Sequence, residues 1–165
     1  LFLGSTIGNF TYDFAVNFLS GLNKRMNKAD QLIIGFDLKK DPATILRAYD
    51  DSSGVTAQFN LNLLQRINNE LDADFKLDNF YHYPVYNPLT GEAQSYLVSK
   101  ISQDVRIEKL NKNFEFGMGD PIFMEVSQKY DLEMISNLAE SCGFRIKENI
   151  FDSKNYFTNS IWEKD

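Results

Sequence analysis

The run Gln31-Leu32-Ile33-Ile34-Gly35-Phe36 constrains this chain more than any other feature. It carries no polar alternation after its first residue, so it fits a strand buried on both faces, of the kind found in sheets covered by helices. Upstream, Ala15, Phe18, Leu19, Leu22 and Met26 recur at helical spacing, with Thr11 placed to cap that helix. Before the helix, Leu1-Phe2-Leu3 reads as a short buried strand already in progress, with no initiator Met ahead of it. Strand, helix, strand implies a parallel sheet and an α/β fold whose domain begins upstream of Leu1.

The rest of the chain divides by period. Asp41-Pro42 is an N-cap followed by Pro at the first helical position, and it opens a helix reaching about Tyr49; a second helix runs from about Asn60 to Leu71. Beyond Phe80 the pattern changes to period two. Segments 81–86, 93–99, 105–110, 114–116 and 122–127, with the turn Asn87-Pro88-Leu89-Thr90-Gly91, are expected to form an antiparallel meander. Asp131 caps a helix that stops at Gly143, and two closing strands, 144–150 and 156–162, follow. The expected partition is an α/β domain of residues 1–38 and 129–165 sharing one sheet, interrupted by an inserted α+β lobe of residues 39–128.

Composition removes several classes of function. At 165 residues and 43% hydrophobic content the chain can bury a sizeable core. A net charge of -6 argues against a nucleic-acid partner, which requires a concentrated basic footprint. No apolar run approaches the roughly 20 residues of a membrane span, so no membrane association is expected. The single Cys142 cannot form an internal disulfide, which points to the cytoplasm. His82, the only histidine, lacks metal-ligand or triad spacing and reads as a structural strand residue; no metal is expected. The pairs Lys24-Arg25 and Lys39-Lys40 read as solvated charge, and Cys142 as a small buried hydrophobe.

The candidate binding residues each carry two readings. The turn Gly4 to Asn9 offers backbone amides and a carboxamide at a strand's C-terminal end, where they could hold a carboxylate; taken alone it reads better as a plain strand-to-helix loop. Glu125 and Ser127, two apart on a strand, share a face and could pair with the two nitrogens of an imidazole, or could form a solvated face with Met124 and Val126 on the core side. Tyr49 is a core-edge aromatic or a phenol donor to a ligand. Tyr81, Tyr83, Tyr86 and Tyr96 could wall a pocket, but residue by residue they read better as packing of the meander.

Six segments, taken together, resemble one family in a single order: Leu3-Gly4-Ser5-Thr6-Ile7-Gly8-Asn9, Asp37-Leu38-Lys39-Lys40-Asp41-Pro42, Ala48-Tyr49-Asp50-Asp51, residues 54–60, Asn68-Asn69-Glu70-Leu71 and Glu125-Val126-Ser127-Gln128-Lys129-Tyr130. The chain is similar to the C-terminal portion of the histidine-specific N-alpha-methyltransferases of ergothioneine biosynthesis. The resemblance implies part of a Rossmann-like class I methyltransferase sheet interrupted by a substrate-binding lobe. It implies that Asn9 and Tyr49 hold the carboxylate end of the amino acid, and that Glu125 and Ser127 grip the imidazole. It implies S-adenosylmethionine as methyl donor, bound mostly by residues upstream of this chain, so that this portion alone is expected to be inactive. The acceptor implied is L-histidine, methylated on its alpha-amine towards the trimethylated betaine hercynine. Ser95 departs from the family, where a larger side chain such as methionine can stand beside the ring. That leaves open another amino-acid or indole acceptor on the same fold, with a non-catalytic amino-acid-binding domain as the alternative from another class.

Overall fold

Thr11 accepts a hydrogen bond from the Phe14 amide at 3.3 Å and so caps α1, Tyr12–Arg25, as its spacing predicts. Apolar Ala15 and Leu19 face inward from this helix. The apolar run that follows is β1, Gln31–Asp37, with Leu32, Ile34, Gly35 and Phe36 buried. These coordinates are a computed structural model that describes residues 1–164. The elements then follow as α2, Pro42–Tyr49; α3, Val55–Leu71; β2, Phe80–Asn87; β3, Glu92–Ser99; β4, Gln103–Ile107; β5, Lys112–Phe116; β6, Pro121–Gln128; α4, Leu132–Ser141; β7, Phe144–Phe151; and β8, Phe157–Lys164.

The chain forms two compact units, each with its own core. The first comprises Leu1–Pro42, Asn87–Ala93 and the chain from Val126 on; the second comprises Ala43–Tyr86 and Gln94–Glu125. In the first unit a three-stranded sheet runs in the order β1-β8-β7. β1 pairs antiparallel with β8 from Gln31↔Glu163 to Asp37↔Phe157, so the two ends of the sequence do share one sheet. Its core joins Leu19, Ile34, Phe36, Ile135, Leu138, Phe144 and Trp162, all under 1% exposed. At roughly 2 kcal/mol for each fully buried apolar side chain, this cluster is the main source of the unit's stability.

Several expectations are corrected here. The parallel relation survives as two isolated bridges, Phe2↔Ile34 and Leu38↔Tyr130, whereas the long ladders of this sheet are antiparallel because β7 and β8 form a hairpin. Of the segment Leu1-Phe2-Leu3 only Phe2 pairs, with the backbone of Ile33 and Gly35. Gly4 turns the chain out of the ladder at φ 73° soon after, leaving Leu3 49% exposed.

In the second unit, Leu64 of α3, Phe75, Phe80, Leu97, Val105 and Ile107 form the core. The expected single meander is split: one sheet has the order β2-β3-β6, and β4-β5 is a separate antiparallel hairpin. Asn111 at φ 50° closes that hairpin, so its strands pair with each other rather than continuing the sheet. α3 begins five residues earlier than its apolar spacing suggests, because the Asp51 carboxylate accepts from the amides of Val55 and Thr56 at 2.9 and 2.8 Å.

Candidate functional site

In the first unit, the loop bearing Asn9 is pinned from both sides. The Ser5 hydroxyl accepts from the Asp37 amide at 3.0 Å, Thr6 Oγ1 donates to the Leu3 carbonyl at 3.1 Å, and Ile7 is wholly buried. Thr6–Asn9 forms one 3-10 turn. Gly8 approaches the end of β6 so closely that an added Cβ would lie 2.8 Å from the Gln128 carbonyl oxygen and 3.6 Å from Ser127 Oγ. The first unit therefore brings the Asn9 loop and Ser127 together. Asn9 itself is exposed, with no hydrogen-bond partner for its carboxamide among the described residues.

Behind Ser127 lies a buried charge network. Lys129 is 3% exposed; its ammonium sits 2.9 Å from Asp37 Oδ2 and donates to Ser127 Oγ at 2.9 Å. Asp37 also binds Lys40, whose ammonium lies 4.9 Å from the Tyr156 ring centroid. Lys39 reaches Asp131 at 2.9 Å. The Lys39-Lys40 pair is thus engaged rather than solvated, because Asp37 and Asp131 stand at the neighbouring strand and helix ends.

In the second unit, Tyr49 closes α2 half-buried, followed directly by Asp50 and the capping Asp51. Glu125 is half-buried, with Oε1 3.4 Å from the hydroxyl of the fully buried Ser95. Glu125 and Met124 both line a cavity of about 180 Å³ with Phe59, Asn60, Leu63 and Arg66. Met124 also packs against the core of this unit, the core side that alternation gives it. A larger cavity of about 670 Å³ lies among Leu1, Phe18, Leu22 and Met26 and includes none of the candidate residues.

His82 was read as purely structural, yet its Nε2 is buried without a hydrogen-bond partner. Burial pushes its pKa below the usual value, against the pull of Asp50, Glu125 and Asp51. The histidine therefore stands electrostatically close both to Glu125 and to the carboxylates after Tyr49. Tyr81 and Tyr83 are not core residues: alternation turns Phe80 inward and leaves them 43% and 51% exposed, in a cleft with Tyr96 and Pro121. Cys142 is buried as expected, its thiol pKa raised by burial, and Sγ lies 3.7 Å from the Val16 carbonyl.

The burial of Lys129 against Asp37 and that of His82 Nε2 go beyond what the sequence pattern marks. Nothing local marks Lys129 as buried, since its partner Asp37 lies on another strand; for His82 the signal was its place among inward-facing residues of a period-two strand. Among the described residues there is no cluster of His, Cys, Asp or Glu able to hold a metal ion. None of the helices there is long and apolar enough to cross a membrane, which says nothing of crossing by strands.

The family described as "Histidine-specific methyltransferase, SAM-dependent" matches residues 1–164. The histidine N-alpha-methyltransferase of Mycolicibacterium smegmatis is 42% identical over 142 residues, covering 86% of this chain and 44% of that protein. Its counterpart from Mycobacterium tuberculosis is 44% identical over 130 residues, covering 79% of this chain and 40% of the other. The chain thus spans less than half the length of these relatives. Among solved structures, the CcbJ methyltransferase of Streptomyces caelestis superposes with a TM-score of 0.50 at 8% identity, covering 99% of this chain and 58% of that one, a likeness of fold alone. The matched family spans every described residue of a mixed α/β fold, and the chain belongs to the histidine-specific, S-adenosylmethionine-dependent methyltransferases.

Proposed function

We propose that this chain is the acceptor-reading portion of a methyltransferase that methylates the alpha-amine of L-histidine towards the trimethylated betaine. The observation that carries this reading is Glu125, a half-buried carboxylate that lines a cavity at the edge of an apolar core beside the buried Ser95 hydroxyl. A carboxylate in that setting favours a ligand that brings its own N–H donor. Glu125 and Ser127 read the imidazole, while the Asn9 carboxamide and the Tyr49 phenol hold the carboxylate end. Ala43–Tyr86 and Gln94–Glu125, the second unit, make up most of the acceptor-binding lobe.

S-adenosylmethionine supplies an electrophilic methyl group on its sulfonium. The glycine loop described here does not fit a cradle for that donor, because the Gln128 backbone fills the space beside Gly8. The residues of this chain act on the acceptor: fixing both ends of histidine leaves the amine between them with little freedom, which lowers the entropic part of the barrier. An apolar side chain in place of imidazole would leave Glu125 desolvated and unpaired, which is the basis of selectivity. The single, buried Cys142 fits a reducing compartment such as the cytoplasm.

In the full-length gene product, Glu125→Ala is expected to lower kcat/KM for histidine by roughly 100-fold while the protein stays folded. Unchanged turnover would overturn the assignment of Glu125 as imidazole reader. The small, buried Ser95 favours a second reading in which a bulkier acceptor such as an indole is accommodated. Competition between histidine and tryptophan in the same methylation assay separates the two, and failure of both acceptors in an intact, folded protein would favour a non-catalytic binding domain.

A further inference from the structure

Resting on the reading of Ser127 as a contact to the imidazole, we propose that Lys129 is a positioning residue that makes the Ser127 hydroxyl a hydrogen-bond donor to the ring and thereby selects the neutral, single-tautomer imidazole. A lysine side chain 4% exposed is costly unless its charge is compensated, and Asp37 supplies that compensation at 2.9 Å. The ion pair alone would account for burial. It does not account for the second contact, in which the same ammonium donates to Ser127 Oγ at 2.9 Å.

An ammonium has donors and no acceptor, whereas a hydroxyl has one donor and two lone pairs. With one lone pair of Ser127 engaged by Lys129, its O–H cannot point back along that contact and is turned towards other partners. An imidazolium presents N–H at both nitrogens, so it could meet this hydroxyl only at its second lone pair, leaving the O–H without the ring as acceptor and bringing a second cation up to the Lys129 ammonium. A neutral imidazole presents one N–H and one lone pair; Ser127 donates to the lone pair, and the N–H is left for Glu125, two residues earlier on β6, as the proposed function assigns it. A carboxylate alone would favour the imidazolium by charge, so the Lys129–Ser127 contact sets a preference that Glu125 does not. Among the charged groups about this network is Lys40, which shares Asp37 with Lys129. On the Glu125 side, His82 feels Asp50, Glu125 and Asp51.

The test uses the full-length protein and histidine labelled with ¹⁵N in the ring, at a pH near 6 where free histidine is a mixture of both protonation states. The bound ligand is expected to show one protonated and one unprotonated ring nitrogen. A bound imidazolium, with both nitrogens protonated, would overturn the role of Lys129 while leaving the histidine reading intact; no histidine binding at all would remove that reading and this inference with it. A variant cycle gives a second measure. Lys129→Met is expected to weaken histidine binding about tenfold in the parent and to change it by less than about twofold in a Ser127→Ala background. Equal losses in both backgrounds would mean that Lys129 acts only on the fold. Should Lys129→Met not fold, the ligand spectrum of the parent protein decides alone.

Discussion

Gly8 has no room for a side chain, because the backbone of Gln128 stands 2.8 Å from where its Cβ would be. Gly8→Ala must push the Asn9 loop from the end of β6, and we expect it to cost about 1–3 kcal/mol in urea-induced unfolding. A cost near zero would mean that the loop relaxes freely and does not hold Asn9 near Ser127. At this scale the sequence showed only part of the site. Asn9, Tyr49, Glu125 and Ser127 stand in motifs that resemblance makes visible, whereas pattern alone left each of them with a plain structural reading. Lys129 stands in the same motif as Glu125 and Ser127, but nothing in the pattern marks it as buried, and His82 lies in none of the motifs. Whether a lysine is solvated or buried against an aspartate depends on which strand end lies beside it, and that is decided by pairing between segments far apart in the chain.

Helix ends were legible wherever the capping residue is adjacent to the helix. Asp131 accepts from the Met134 amide at 2.8 Å and starts α4, as its position predicts. Desolvation works against its ionised form, yet the Met134 amide and Lys39 prevail and hold its pKa below the ordinary value. We expect Asp131→Ala to destabilise by about 1 kcal/mol in a thermal melt, and Asp131→Asn to retain most of the cap. α3 shows where such reading stops: Asp51 reaches the amides of Val55 and Thr56 across an intervening turn, so spacing of apolar residues placed the helix start too late. The strands were found close to their observed limits, but their partners were not. Period two reports which residues face a core and carries no information on which strand lies alongside, so β4-β5 was merged with the sheet β2-β3-β6.

Over the whole molecule, several acids have pKa values held below normal in the folded state. For Glu163 the main causes are Lys147 and Gln31, for Asp152 the Phe157 amide, and for Asp51 the Ser53 hydroxyl and the Thr56 side chain and amide. The unfolded chain binds protons at these sites first, so their contribution is complete above about pH 5 and is lost as pH falls through the lower folded values. His82 acts in the same direction at higher pH: its folded pKa is depressed, so stability begins to fall below about 6.5 as the unfolded chain protonates it. Urea midpoints measured from pH 8 to pH 3 should therefore show a shallow decline before the steep acid one, and His82→Gln should remove the first while sparing the second. The same α/β layout that was legible from Gln31–Phe36 has a further consequence through β8. This strand lies at the centre of its sheet and far downstream of β1 in the sequence, its Phe157 end meeting Asp37 of β1. While the chain emerges from a ribosome, β1 lacks that neighbour until the distant β8 has been made, and Leu32, Ile34 and Phe36 sit beside an open strand edge able to recruit other nascent chains. Yield in a cell is then governed by how long chaperones shield that edge, and codon changes that slow translation ahead of β8 should shift the product towards inclusion bodies.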